Sequence, residues 1–186
     1  MSKAVMISIK PLWCDLIANG KKTVEVRKSK PKLEPPFKVY IYATKPKHFY
    51  KIGKHMATTN EGLYLSNGKV KMSDGFEFWS DDIECEYLSG KVIGEFVCDA
   101  ILSRCESANA DIAEQQGCIR REELFEYAKG KVLFGWHISD IKIYDTPMEI
   151  NRFVSASTIN TNCFGQRLKR LDRPPQSWCY VEEVKQ

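Results

Sequence analysis

The sequence predicts an α+β domain in which five or six strands, with short helices between and beside them, form a small, partly open mixed β-barrel. Alternating apolar and polar residues indicate strands, most clearly in FKVYIYATKP from Phe37 onward. The helical patterns are short, and 186 residues with 43% hydrophobic content suit one domain. We therefore expect a single domain over residues 1–186, with residues 46–89 as an insertion or an extension of the sheet.

The first elements are a helix, a turn and a strand. Pro11 suits the first position of a helix that runs to Ala18, because its missing N–H costs nothing there. The apolar stripe of this helix consists of Leu12, Trp13, Leu16 and Ile17. Asn19-Gly20 ends the helix, since glycine readily adopts a left-handed conformation. The strand that follows alternates Val24 and Val26 on one face with Thr23, Glu25 and Arg27 on the other.

The middle of the chain contributes further strands. The Phe37 strand places Tyr40 and Tyr42 on the face opposite Val39 and Ile41. LYLSNGKVKM predicts a β-hairpin that turns on Asn67-Gly68. GKVIGEFVCDAIL predicts another strand with possible bends at its glycines.

The last third combines helices with two strands. Residues 109–129 predict a helix in two pieces, broken at Gly117. In FGWHISDIKIYD the apolar residues change parity near Ser139-Asp140, which indicates a bulge or bend. TPMEINRF predicts a turn into a short helix, and QSWCYVEEV predicts the closing strand.

Composition excludes several classes of function. The N-terminus lacks the apolar run of a signal peptide, and no segment reaches the ~18 apolar residues of a membrane span, so we expect a cytoplasmic protein without a membrane partner. The seven cysteines are then reduced thiols. No C-x-x-C pair or helical histidine pair occurs, and we predict no metal and no cofactor. A net charge of +4 permits a phosphate-bearing partner.

The stretch GKKTVEVR carries the chemistry most worth testing. Arg27 and Lys22 can bind phosphate, the arginine through a planar fork and the lysine as a point charge. Glu25 can accept hydrogen bonds from a base or act as a general base. Lys22 can activate a water or stabilise an oxyanion if its surroundings lower its pKa. The alternative is a solvated strand face with a weak ion pair.

The same stretch resembles a known family. ISIKPLWCDLIANGKKTVEVRK is similar to the opening of the ASCH domain family, phage or bacterial type, whose G-x-K-x-x-E-x-R signature stands here as Gly20, Lys22, Glu25 and Arg27. VYIYATKP, GKVIGEFVCD, FGWHISDIKIYDTP and RPPQSWCYV resemble later strands of the family. The resemblance implies a PUA-like fold, a small barrel with helices at its ends.

The resemblance also implies functions. Family members are generally thought to bind RNA in a cleft beside the signature, and related barrels hold a flipped, modified base. We therefore expect recognition of RNA or a modified nucleotide. One alternative is a hydrolase, either a ribonuclease or an amidohydrolase on an acetylated cytidine. The amidohydrolase lysine corresponds to Lys22, but Glu25 stands where that group has threonine, and a carboxylate cannot replace a hydroxyl nucleophile without a change of mechanism. A phage-type accessory protein that binds other proteins is a further alternative.

The candidate site has a catalytic pair and a wider set of ligand contacts. Lys22 and Glu25 are the candidate catalytic residues, and Glu95 and Asp99 are candidate second acids. The candidate ligand-binding residues are Gly20, Thr23, Arg27, Trp13, Tyr42, His137 and Trp178. The aromatic residues among them can stack on bases or serve as core anchors, and His137 can act as an acid or base or be structural. The basic rim, expected to contact phosphates, consists of Arg167, Lys169, Arg170 and Arg173.

Overall fold

The computed structural model of the protein describes residues 2–45, 90–156 and 169–184 and, within 49–79, the strand residues alone. The strands of that part of the chain are, in order, β1 (Lys3–Ile9), β2 (Val24–Arg27), β3 (Phe37–Ala43), β4 (Phe49–Ile52), β5 (His55–Thr58), β6 (Tyr64–Ser66), β7 (Lys69–Lys71), β8 (Glu77–Trp79), β9 (Val92–Ser103), β10 (Phe134–Met148) and β11 (Trp178–Glu182). The α-helices are α1 (Pro11–Ala18), α2 (Ala110–Gly117) and α3 (Arg121–Ala128).

A six-stranded mixed sheet in the order β11-β1-β3-β9-β10-β2 forms the body of the domain. Strands β1 and β3 run parallel, and the other neighbours run antiparallel. The sheet curls into a half-barrel: the ring of Trp136 on β10 lies 5.9 Å from that of Trp178 on β11, although three strands separate β10 from β11 in the sheet order. The predicted α+β, PUA-like half-open barrel is therefore confirmed.

The curl depends on irregular pairing between the two longest strands. The register between β9 and β10 shifts between Ser139 and Lys142, and Asp140 adopts a φ of 46°. Such bulges bend a strand and increase its twist. The predicted bulge near Ser139-Asp140 is thus confirmed. The predicted turn at TPM is wrong, because Thr146–Met148 still belong to β10, and a 3-10 helix (Ile150–Arg152) follows.

Strand β1 lies inside the sheet and was not predicted from the sequence. All residues from Ala4 to Ile9 are buried. A strand buried on both faces has a continuous apolar run in place of the alternation that indicates a half-exposed strand.

Apolar clusters cover both faces of the sheet. The barrel interior is built from five strands and α1; its buried members include Val5, Ile7, Cys14, Ile17, Phe37, Val39, Phe96 and Trp136. The second cluster, here called the back face, lies on the other side of β1 and β3 and includes Met6, Tyr40, Tyr42, Phe153 and Val181. The third cluster packs α2 and α3 against the outer face of β2 through Val24, Val26, Ala113 and Leu124.

The strands within 49–79 pair outside the main sheet. Strands β4 and β5 form a two-stranded sheet beside α1, and β6, β7 and β8 form a three-stranded sheet. The pairing of β6 with β7 agrees with the predicted hairpin, whose turn at Asn67-Gly68 lies outside the described residues. Whether residues 46–89 are an insertion stays a prediction. No helix among the described residues is long and apolar enough to cross a membrane.

Candidate functional site

The turn after α1 places Lys22 next to the helix. Gly20 has a φ of 69° and donates its N–H to the carbonyl of Ile17. The N–H groups of Lys21 and Lys22 both donate to the carbonyl of Leu16. A Cβ at Gly20 would meet nothing within 4 Å, so the position requires glycine for its left-handed backbone, not for lack of space.

Lys22 is buried, and its ammonium group has three partners. Only 1% of its surface is exposed. Its Nζ donates to the carbonyl of Gly117 at 2.6 Å, lies 3.4 Å from Glu25 Oε2 and stands 4.9 Å from the centre of the Trp13 ring. Gly117 ends α2, and a helix C-terminus carries partial negative charge that favours a cation. One N–H therefore has a carbonyl acceptor, while a carboxylate and an aromatic face surround the charge.

Glu25 connects Lys22 to Arg27. Its Oε1 lies 2.9 Å from Arg27 Nη2, and the same Nη2 donates to the carbonyl of Ser8 at 2.6 Å. Arg27 Nη1 donates to Ser177 Oγ at 3.5 Å. The Nε of Arg27 is buried and has no hydrogen-bond partner within the described part of the chain. Lys22, Glu25 and Arg27 thus form one nearly buried network, called here the ion network, in which Arg27 retains an unused donor.

A cysteine and a tryptophan of the barrel interior adjoin this network. Burial raises the pKa of the Cys14 thiol well above its usual range, and the charge of Glu25 raises it further, so this thiol stays protonated at neutral pH. Trp136 lies directly opposite Glu25 in the β2–β10 ladder and is fully buried. Its Nε1 has no partner among the described residues, as for Arg27 Nε.

The ion network lies where the half-barrel closes. Strands β2 and β11 are the two edges of the sheet, and side chains connect them. Trp178 Nε1 donates to Ser29 Oγ at 3.0 Å, and the N–H of Lys32 donates to the hydroxyl of Tyr180 at 2.7 Å. With the Arg27–Ser177 contact, these bonds join residues 27–32 to residues 177–180 along a line that we call the seam.

Comparisons with known proteins show the family and the fold of this chain. The family model for the ASCH domain matches residues 7–146. The chain belongs to the ASCH domain family. No curated protein sequence is significantly similar to it.

Solved ASCH structures show the same fold at low sequence identity. The crystal structure of ASCH from Zymomonas mobilis is 17% identical, has a TM-score of 0.57, and is matched over 97% of this chain and 88% of its own. A serine-to-alanine mutant of that protein gives 16% identity and a TM-score of 0.58, with 97% of this chain and 89% of that chain covered. A tyrosine-to-phenylalanine mutant of the same protein is 17% identical and has a TM-score of 0.54, with 98% of this chain and 92% of that chain covered.

The structure brings together most of the ASCH signature and separates it from several other candidates. Besides the ion network, Trp13 and Trp178 lie at the site, the former against Lys22 and the latter at the seam. Thr23 adjoins it through its backbone, which bonds with Gln116 and Ile138.

Tyr42, His137 and the basic rim lie elsewhere. Tyr42 is buried in the back face. His137 stands opposite Val24 on the outer face of the sheet and contacts Asp99 through Nδ1 at 2.6 Å, a hydrogen bond that holds the pKa of Asp99 below its usual range. Arg170 donates to the carbonyl of Asn151 at 3.4 Å beside the back face. Lys169 and Arg173 are exposed on the same segment, and Arg167 lies outside the described residues.

Glu95, a candidate second acid, is also remote from the ion network. It accepts from the hydroxyl of Tyr144 at 2.6 Å and pairs with Lys38 at 3.3 Å. Within the described part of the chain, no group of three or more metal-ligating side chains forms.

Sequence reasoning missed the backbone partners of the ion network. The carbonyls of Ser8 and Gly117 come from β1 and α2, far from the signature in sequence. Every residue has a backbone carbonyl, so no residue pattern could have indicated that these two would be the partners. Cys14 and Ser177 are side chains that a pattern could have indicated only after their neighbours were known.

Proposed function

We propose that the protein binds RNA or a modified nucleotide, with Arg27 as the central contact. The observation that carries this proposal is Arg27 at the seam, whose side chain is 12% exposed and whose Nε–H has no partner among the described residues. A buried donor without a partner costs about 1–3 kcal/mol. A phosphate or carbonyl oxygen of a nucleotide would supply that partner, and arginine offers planar, forked donors suited to such groups.

The burial of the ion network supports a functional role. Burying charged groups costs desolvation energy that their mutual attraction often only balances, so apolar residues frequently serve the fold as well. The family membership suggests nucleic acid in general as the ligand.

The contacts that Lys22 makes within the protein favour a binding function over the hydrolase alternative. An amidohydrolase-like or ribonuclease mechanism that uses Lys22 requires its amine to reach the substrate. Here the amine is buried, donates to the Gly117 carbonyl and is paired with Glu25. Lys22 is therefore better suited to hold Glu25, and through it Arg27, than to react.

Binding of a single-stranded oligouridylate of about 12 nucleotides tests the proposal, with fluorescence anisotropy measured over a series of salt concentrations. We expect the affinity to fall as salt rises, because phosphate contacts release counterions. Arg27→Lys keeps the charge but removes the fork and the Nε–H, and we expect about tenfold weaker binding, equivalent to ~1.4 kcal/mol.

Arg120→Lys is the matched control, since Arg120 is an exposed arginine that pairs with Glu123 on α3. Equal affinities of the Arg27 and Arg120 variants, or no binding by the unaltered protein at low salt, would contradict the proposal. The same RNA, analysed for cleavage after incubation, addresses the alternative: cleavage that disappears in Lys22→Met, below the temperature at which that variant unfolds, but persists in Lys21→Met would favour a hydrolase.

A further inference from the structure

Lysines on aromatic rings surround the seam. Lys28 Nζ stands 4.6 Å from the centre of the Tyr127 ring, and Lys30 Nζ stands 5.9 Å from that of Phe134. On the β11 side, Lys3 Nζ lies 6.0 Å from the centre of the Tyr180 ring. A cation over an aromatic face is attracted by the ring quadrupole, so these side chains are partly ordered while their ammonium groups remain positively charged.

Three lysines on the β2 side of the seam, Lys28, Lys30 and Lys32, are called here the seam lysines. Within the described part of the chain, none of Lys28, Lys30 and Lys32 pairs with a carboxylate. Some other cations of the described residues do have carboxylate partners, among them Lys38, Lys91, Arg120 and Arg121. Among the described residues, the seam therefore carries three neighbouring lysines without a carboxylate partner, as an anion-binding surface requires.

The segment that carries these lysines is held in place by the residues between them. Ser29 accepts the Trp178 hydrogen bond, and Pro31 is buried. Leu33 packs against the barrel interior. While Ser29 and Pro31 are anchored, Lys30 and Lys32 are exposed and Lys28 is half-buried.

We propose that a single-stranded RNA runs along the β2 side of the seam, with successive phosphates on Lys28, Lys30 and Lys32 and a base near the rings of Tyr127 and Phe134. The inference rests on the proposed function and specifies the path of the strand. A positively charged track interleaved with aromatic rings is the usual solution for single-stranded nucleic acid. It also replaces the basic rim predicted at residues 167–173, whose described members lie beside the back face.

Two triple variants of equal charge test this path: Lys28→Gln/Lys30→Gln/Lys32→Gln at the seam and Lys169→Gln/Arg170→Gln/Arg173→Gln as the control. Each removes three positive charges, and at ~0.15 M salt a Debye length of about 8 Å screens distant charges. With the oligouridylate probe, we expect the seam variant to bind at least tenfold more weakly. Its slope of log affinity against log salt should fall by about 2, since each lost phosphate contact removes ~0.7. The control should stay within about twofold of the unaltered protein.

The outcomes separate this inference from the proposed function. If Arg27→Lys weakens binding while the two triple variants bind equally, RNA binding stands and the seam path is wrong. If the control variant loses more affinity than the seam variant, the RNA strand binds at the basic rim instead of the seam. If duplex RNA of the same length binds as tightly as the single strand, the aromatic contribution is refuted. Thermal unfolding of both variants shows whether they fold, and a Lys28→Arg/Lys30→Arg/Lys32→Arg variant, which keeps the charge, should retain binding.

Discussion

At the scale of single residues, Lys22 is the most constrained side chain of the signature. Its burial would be unfavourable for an isolated ammonium group, and three partners compensate it: a helix-terminal carbonyl, a carboxylate and an indole ring. The partners come from α2, β2 and α1, so one side chain ties three elements together. Its substitution should therefore affect the fold as well as the site.

We expect Lys22→Met to lower the free energy of unfolding by roughly 3–5 kcal/mol, because it leaves the buried Glu25 carboxylate with one cation fewer and the Gly117 carbonyl without its donor. Urea unfolding measures the change. Lys21→Met is the control, since Lys21 is exposed and adjacent. The added change Glu25→Gln should recover part of the loss, as expected for coupled residues. Equal stability of the Lys21 and Lys22 variants would show that the network contributes nothing to folding.

At the scale of elements, the sequence predicted the helices and strands that a pattern of neighbouring residues defines. The parity of β2 correctly assigned Val24 to one face and Glu25 with Arg27 to the other, and Pro11 with Gly20 bounded α1. The missed strand β1 is defined by its neighbours β3 and β11, which cover it on both sides. The grouping of the ion network also depends on that strand, because the Ser8 carbonyl belongs to β1, so parity could predict the face but not the partners.

The bend between β9 and β10 gives a prediction at this scale. A Cβ at Gly94 would lie 2.5 Å from the backbone oxygen of Lys142, and a backbone atom cannot move aside as a flexible side chain can. We expect Gly94→Ala to destabilise the protein by about 1–3 kcal/mol, as overpacking does. Ala100→Ser adds one heavy atom at an exposed position of the same strand and should change stability little. Thermal unfolding compares the two, and equal midpoints would mean that the bend tolerates a side chain.

At the scale of the whole molecule, the half-barrel closes without a strand ladder between its edges. Among the described residues, β2 pairs with β10 and β11 pairs with β1, and the closing contacts at the seam are made by side chains. Such contacts are fewer than the bonds of a ladder, so the seam should open more readily than the rest of the sheet. A ligand bound to the closed seam would then stabilise it, since binding to the closed form favours that form.

Hydrogen exchange at the Lys32 amide tests this closure, because that N–H donates to the Tyr180 hydroxyl. Tyr180→Phe removes the acceptor and keeps the ring, and we expect faster exchange in residues 28–33 with a loss of about 1 kcal/mol in the free energy of unfolding. Tyr127→Phe removes a hydroxyl from a partly exposed ring of α3 and should leave the Lys32 amide unchanged. If exchange instead accelerates throughout β1 and β3, the hydroxyl supports the sheet as a whole, and the seam is not a separate opening unit. Saturating RNA should slow exchange of the same amides in the unaltered protein, because a strand held on Lys28, Lys30 and Lys32 would restrain the segment that carries these amides.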